Sequence, residues 1–204
     1  MRNFLIQPPQ LIRSFYRNFL WRMNPDEKVV YLTFDDGPVP GPTEFVLEQL
    51  KKYNAKATFF CIGDNVKKHK DIFYMIQGVG HSVGNHSFHH FNGWKTETES
   101  YVNDVQKARE VIDSQLFRPP YGKIKLAQSR LLLKDYKIVM WDVLSYDFDT
   151  SVTPEKCYQN VIQNVRPGSI IVFHDSEKAF PNLKEVLPRC LEFLVKNGYR
   201  MEKL

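Results

Sequence analysis

The feature that most constrains the fold is a repeated alternation of short apolar strands with amphipathic helical segments. The strands, rich in β-branched and aromatic residues, recur about seven times. They are expected at residues 29–33, 57–62, 81–83, 116–118, 137–141, 169–173 and 199–202. Such alternation predicts a parallel sheet with helices packed outside it, and this sheet could close as a barrel or stay open. Seven short units favour an α/β fold, an irregular TIM-barrel-like (β/α)7 barrel of mostly parallel strands.

The length and charge of the chain limit its number of domains and its binding partners. Its 204 residues are enough for one domain with a full core. We therefore expect a single domain over residues 1–204, with residues 1–28 as an N-terminal extension packed on the barrel. Lysine and arginine exceed aspartate and glutamate by 28 to 23, and this excess is spread along the chain. A dispersed charge of +5 permits contact with an anionic surface but does not favour nucleic acid as a partner.

Residues 1–24 are apolar with interspersed arginines. They contain no continuous apolar run of signal-peptide length, and no segment of the chain is apolar enough to span a membrane. The spacing of Leu11, Phe15, Phe19 and Leu20 predicts a helix packed on the barrel end. The alternative is an amphipathic segment in peripheral contact with an anionic membrane. The expected location is the cytoplasm or the membrane periphery.

The three cysteines do not indicate a disulfide framework. Cys61, Cys157 and Cys190 are odd in number and contain no CxxC pair. We expect three mostly buried thiols, as in proteins of a reducing compartment.

Titratable residues follow five of the predicted strands. They are Asp35 and Asp36, His86 and His90, Arg118, Asp142 and Asp147, and His174 and Asp175. In parallel barrels the chemistry lies beyond the carboxyl ends of the strands. The sequence therefore predicts that these polar groups gather at one rim of the barrel.

Two features within this set favour a metal ion. Asp35 and Asp36 are adjacent, and two close anions oppose each other's ionisation unless a cation or hydrogen-bond donors intervene. His86 and His90 are four residues apart, so a helical turn would place both on one side. Two imidazoles and one carboxylate form a common catalytic metal set, and Asp36 is the expected third ligand. This set suits zinc, with nickel, cobalt or iron as alternatives.

Two further segments carry groups that suit acyl transfer. Arg118 precedes Pro-Pro-Tyr-Gly, where rigid neighbours can hold the backbone N–H of Tyr121 or Gly122 to stabilise an oxyanion. The alternative is a proline-rich loop with a surface arginine. His174 follows four apolar residues and could be a core histidine. On the same rim as a metal it is better interpreted as a general acid whose tautomer is fixed by a carboxylate.

From Val29 to its C-terminus the chain resembles the NodB-type polysaccharide deacetylases, which form family four of the carbohydrate esterases. Five motifs in the family's order carry the resemblance: TFDDGP at Thr33–Pro38, NHSFHH at Asn85–His90, RPPYG at Arg118–Gly122, WDVLSYDF at Trp141–Phe148 and IIVFHDS at Ile170–Ser176. The resemblance implies an irregular parallel barrel and metal-dependent removal of acetyl groups from N-acetylated sugars.

The resemblance also implies roles for single residues. Asp36, His86 and His90 would hold the metal. Asp35 would be the general base that takes a proton from the attacking water, and Arg118 would orient it.

The remaining roles concern the oxyanion, the leaving group and the acetyl methyl group. By the same resemblance, the backbone N–H of Tyr121 would receive the oxyanion, and His174 would protonate the departing amine with the support of Asp147. Trp141 would line the pocket for the acetyl methyl group. The chain departs from the family at Leu144, where an aspartate is usual, and at Phe148, where a tryptophan is usual. Both departures affect the identity of the expected substrate more than the type of reaction.

The sequence thus predicts a monomeric, metal-dependent hydrolase that removes N-acetyl groups from amino sugars. Its acetylated carbohydrate substrate would be a polysaccharide or glycoconjugate such as peptidoglycan or a chitin-like chain, and the metal would be zinc, with cobalt or nickel as alternatives. An O-acetyl polysaccharide esterase is the alternative within the same chemistry. A non-catalytic carbohydrate-binding barrel is the alternative of another class.

Overall fold

The fold is built on eight parallel strands. The structure is a computed structural model and describes residues 6–204. The strands are β1 (Val29–Asp35), β2 (Ala57–Cys61), β3 (Ser82–Asn85), β4 (Leu116–Phe117), β5 (Lys137–Ile138), β6 (Val143–Leu144), β7 (Ile170–His174) and β8 (Arg200–Met201). The helices are α1 (Gln10–Phe15), α2 (Pro42–Lys52), α3 (Gly63–Lys68), α4 (Lys70–Gly78), α5 (Thr98–Arg109), α6 (Leu126–Leu132), α7 (Pro154–Ile162) and α8 (Phe180–Lys196).

The strands form one curled sheet in the order β5-β4-β3-β2-β1-β7-β6, and β8 pairs with the beginning of β1. Every strand pair is parallel. This arrangement confirms the predicted barrel-like α/β class. Among the described residues, no helix combines the length and apolar composition needed to cross a bilayer.

The centre of the core lies along β1, β2 and β7. The ring of Phe34 stacks against Phe59 at 5.1 Å and Phe173 at 5.9 Å between centroids, and all three side chains are buried. Strands covered on both faces are expected to be near-continuous apolar runs, and Val, Ile, Leu and Phe predominate in these three. The same register places Asp35 opposite His174, so the last residues of β1 and β7 reach the rim at one level.

One predicted rim residue lies elsewhere. The fifth strand ends at Ile138, and the short strand β6, which was not predicted, pairs with β7. Asp142 therefore stands before a strand and not after one. Its buried carboxylate accepts from Ser169 at 2.8 Å, at the start of β7, and pairs with Arg13 and Arg166 at 2.8 and 2.7 Å. The inclusion of Asp142 in the rim was wrong.

The N-terminal extension packs differently from the prediction. Helix α1 ends at Phe15 and buries none of its residues, so the expected helical packing through Leu11 and Phe15 is wrong. The following segment makes the contact: Phe19 and Trp21 are buried, and Leu20 forms a parallel bridge with Val139. Residues 1–5 of the predicted extension lie outside the described residues.

The prediction of three mostly buried thiols is confirmed. Cys61, Cys157 and Cys190 are all buried and free. Burial raises the pKa of each thiol, so none is an activated nucleophile.

Candidate active site

A cleft of about 1190 Å³ lies at the carboxyl ends of the strands. The parallel register explains why residues distant in sequence meet there, because each follows or ends a strand of one sheet. Eight of the nine predicted site residues line the cleft: Asp35, Asp36, His86, His90, Arg118, Tyr121, Trp141 and His174. The ninth, Asp147, is buried directly behind His174.

Asp36, His86 and His90 form a compact set of candidate metal ligands. Their ligand atoms lie within 4.8 Å of one another. Asp36 Oδ1 is 3.2 Å from His90 Nε2 and 3.6 Å from His86 Nε2. Tetrahedral zinc with ligands at about 2.0–2.1 Å requires ligand separations of about 3.3 Å. The residues present therefore fit a small divalent metal ion.

The protonation state of His86 suits metal binding. Its Nδ1 lies 2.8 Å from the carbonyl oxygen of Arg118, which can only accept, so Nδ1 carries the proton and the Nε2 lone pair is available. Burial lowers the pKa of His86 to about 4, although the nearby Asp35 opposes this shift. The imidazole is therefore neutral near pH 7, as a ligand must be.

The two histidines do not share a helical turn, so that part of the prediction was wrong. They lie on a loop after β3 in which Ser87 and His90 have positive φ angles of 62° and 58°. Asp104 shapes this loop, because its Oδ2 accepts from the backbone N–H of Phe88 and of His89 at 3.0 Å each. Sequence reasoning missed Asp104, and the signal was a carboxylate on the inner face of an amphipathic helix.

The turn that carries Asp36 is held from both sides. Asp36 has a φ of 81°, and Asn65 Nδ2 donates to its carbonyl oxygen at 2.8 Å. The next backbone N–H, of Gly37, donates to Asp175 Oδ1 at 3.1 Å, and the Thr43 hydroxyl donates to Asp175 Oδ2 at 2.6 Å. Asn65 and Thr43 were also missed by sequence reasoning.

The carboxyl groups of Asp36 and Asp175, both at this turn, differ in pKa. Burial opposes ionisation of Asp36, but its hydrogen bond with His90 and the charges of His174 and His86 hold its pKa well below the usual range. Burial, together with the charge of Asp36, raises the pKa of Asp175 to about 8. Of the two, Asp36 is thus the carboxyl that stays ionised at neutral pH, as a metal ligand must be.

Asp35 forms a buried ion pair with Arg118, whose Nη1 donates to Asp35 Oδ1 at 2.7 Å. Arg118 is 1% exposed and also donates to the Thr33 hydroxyl at 2.8 Å and the Met140 carbonyl at 2.9 Å. The alternative of a surface arginine is therefore wrong. With its guanidinium fixed by these partners, Arg118 holds the Asp35 carboxylate in one orientation.

His174 and Asp147 form the second pair. His174 Nδ1 lies 2.8 Å from Asp147 Oδ1, and the His174 backbone N–H donates to Asp147 Oδ2 at 2.8 Å. Ser145 donates its hydroxyl to Asp147 Oδ1 at 2.9 Å. Burial opposes charging of His174, but Asp147 raises its pKa to about 9. With Nδ1 engaged, Nε2 is the nitrogen that can transfer a proton.

The backbone N–H of Tyr121 takes no part in the hydrogen bonds of its own turn. Tyr121 has a φ of 60°, and the bonds of the turn come from the N–H groups of Gly122 and Lys123. The Tyr121 ring lies 4.5 Å from that of His90, so this turn borders the three candidate ligands. The ring of Trp141 packs directly on Gly122, where a Cβ atom would clash with it.

Comparisons with known proteins identify the family of the chain. Residues 22–141 match the family model described as polysaccharide deacetylase. A peptidoglycan-N-acetylglucosamine deacetylase of Bacillus cereus is 36% identical over 154 residues, which are 72% of this chain and 56% of the relative. The chain thus spans little more than half the length of that relative.

Two solved structures extend the likeness to the fold. The Bc1960 peptidoglycan N-acetylglucosamine deacetylase, in complex with 4-naphthalen-1-yl-N-oxidanyl-benzamide, is 30% identical with a TM-score of 0.88. The match covers 97% of this chain and 95% of that one. BA3943 of Bacillus anthracis, a pseudoenzyme of carbohydrate esterase family four, is 26% identical with a TM-score of 0.79, over 90% of this chain and 66% of that one.

The fold and the rim define the barrel-like class of carbohydrate esterase family four. The chain belongs to the polysaccharide deacetylase family. The family is one of hydrolases, since its members include enzymes named for removing the N-acetyl groups of peptidoglycan sugars.

Proposed function

We propose that the protein is a metal-dependent hydrolase that removes N-acetyl groups from the amino sugars of a polysaccharide or glycoconjugate, peptidoglycan or a chitin-like chain. One observation carries the proposal. A single cleft holds three convergent metal-ligand atoms, a carboxylate fixed by a buried arginine and a histidine fixed by a buried carboxylate. These are the groups that amide hydrolysis requires.

An amide is a poor electrophile and water is a poor nucleophile. A bound divalent ion, zinc in this proposal with cobalt or nickel as alternatives, would polarise the carbonyl and make water more acidic. Asp36, His86 and His90 would hold it. Asp35 lies next to these ligands and is oriented by Arg118, so it takes the proton from the attacking water.

The leaving group needs a proton because an amine leaves poorly as an anion. His174 supplies this proton from Nε2, since Asp147 engages Nδ1 and keeps the ring charged near neutral pH. The backbone N–H of Tyr121 donates to the oxygen that becomes negative during attack. General acid and general base each contribute about 10²–10⁴-fold to such a reaction.

An O-acetyl esterase is a second candidate. The supporting observation is the cleft wall, where Leu144 presents an apolar side chain and the Phe148 ring packs 4.8 Å from that of His174. An ester has a better leaving group than an amide and depends less on the general acid. A non-catalytic barrel is disfavoured because the base, the acid, the ligand set and the orienting arginine all face one cleft.

The deciding experiment measures acetate release from N-acetylglucosamine oligomers, peptidoglycan and acetylated xylan, each with and without a chelator. We expect release from the amino sugars, loss of release with chelator, and recovery with added zinc. Asp35→Asn should abolish turnover and leave the zinc stoichiometry unchanged, because Asp35 is not among the ligands. Asp64→Asn, which removes an exposed carboxylate paired with Lys68, is the matched control.

Release from xylan alone would favour the esterase. Sugar binding without release from any substrate would favour the non-catalytic barrel. Zinc loss in Asp35→Asn would contradict the division of roles between Asp35 and Asp36.

A further inference from the structure

A second pocket, of about 300 Å³, adjoins the cleft. Its walls come from the N-terminal extension through Pro9, Ile12 and Tyr16, and from the barrel through Met140 and Trp141. Among the described residues that line it, Lys123 alone is charged. The pocket therefore suits an uncharged, apolar group.

The walls are held in place by contacts outside the pocket. The guanidinium of Arg13 pairs with the buried Asp142 carboxylate at 2.8 Å. Arg22 Nε donates to the Pro167 carbonyl at 2.9 Å. The extension is thus attached to the barrel both among its pocket-lining residues, at Arg13, and directly after them, at Arg22, and the pocket is a built feature.

The pocket shares part of its lining with the cleft. Tyr121, Gly122, Lys123 and Trp141 line both. The ring of Trp94 stands at the mouth, 61% exposed, with the Lys123 ammonium 5.4 Å from its centroid. An apolar substituent of a molecule held in the cleft would therefore reach the pocket past Tyr121 and Trp141.

We propose that this pocket binds the apolar chain of an amphiphilic substrate, an N-acetylated amino sugar linked to a lipid, while its sugar occupies the cleft. This inference rests on the proposed function and specifies its substrate class. An apolar cavity of about 150 Å³ admits a benzene ring, so a pocket of 300 Å³ has room for about ten carbons on the same scale. Burial of such a chain binds the substrate through the hydrophobic effect.

The test measures binding, so that it does not depend on turnover. The probes are methyl, butyl and octyl N-acetyl-β-glucosaminides, below their micellar concentrations, titrated calorimetrically into full-length Asp35→Asn protein. Each fully buried methylene can strengthen binding by up to about four-fold. Even with partial burial, we expect affinity to rise at least tenfold from methyl to octyl.

Two substitutions on one helix localise the effect. Ile12→Glu places a charge in the pocket wall and should abolish the gain from methyl to octyl. Leu11→Glu is the matched control, because Leu11 is adjacent, 81% exposed and does not line the pocket. It should leave the gain intact.

Equal affinities for the three glycosides would overturn the proposal, even if acetate is released from oligomers. A gain from methyl to octyl that survives Ile12→Glu would also overturn it. A tighter complex with octyl glycoside after removal of residues 2–5 would assign the pocket to the chain's own N-terminus. A different outcome would refute only the deacetylase function. In that case affinity rises with alkyl length, but the unsubstituted protein releases acetate from no substrate.

Discussion

Among the site residues, Arg118 is the one whose replacement should lower the free energy of unfolding most. Replacement by alanine leaves the Asp35 carboxylate, 5% exposed, without its 2.7 Å partner. It also removes donors to the Thr33 hydroxyl and the Met140 carbonyl. Removing one partner of a buried ion pair costs about 3–5 kcal/mol. In a domain of this size each kcal/mol lowers Tm by about 2–4 °C, so Tm should fall by roughly 6–20 °C.

The assay is thermal unfolding of the chelated protein at pH 7, so that metal binding does not contribute. Arg189→Ala is the matched control, because Arg189 pairs with Glu155 at the same 2.7 Å but at the exposed surface. Exposed pairs contribute about 0–1 kcal/mol, so its Tm should fall by less than about 4 °C. Equal Tm losses in the two variants would refute the buried-pair reasoning.

Three further predictions concern the same rim. Asp147 raises the pKa of His174 to about 9 from 6.5 despite burial, so the stability gained from its charge is complete below pH 6.5 and is lost as the pH rises to about 9. His174→Gln should flatten that part of the urea-unfolding profile, and an unchanged slope would contradict the assignment. Asn65→Ala removes the hydrogen bond to the Asp36 carbonyl and should weaken zinc binding about 10–100-fold in a chelator competition, whereas the surface variant Gln159→Ala should not. Gly37→Ala places a Cβ against the Asp175 carboxylate and should cost about 1–3 kcal/mol in urea unfolding. Gly78→Ala, where a Cβ meets nothing within 4 Å, should cost nothing, and equal effects would argue against a close approach at Gly37.

Much of the site could be predicted because its residues follow strands. A strand is recognisable from a few consecutive side chains, and parallel strands end at one edge of their sheet. That rule alone brings Asp35, His86, Arg118 and His174 to a common rim. The pairing of Asp35 opposite His174 in adjacent strands then fixes their relative height.

The same local reasoning failed where a chain segment was too short to leave a pattern. Strand β6 has two residues, and without it Asp142 was assigned to the wrong end of the barrel. The loop from His86 to His90 was interpreted as a helical turn because spacing alone does not specify positive φ angles. Both errors arise from backbone conformations that distant contacts stabilise.

The sequence by itself determined the alternation of strands and helices, the parallel sheet and the set of polar groups at its carboxyl edge. These depend on periodicity and on which residue follows a strand, and both are local properties. Only the tertiary structure decided that Asn65 and Asp175 hold the turn of Asp36 and that Asp104 shapes the histidine loop. It alone placed an apolar pocket beside Trp141. Such contacts join side chains far apart in the chain, and their distances are set by how the helices and the N-terminal extension pack on the sheet.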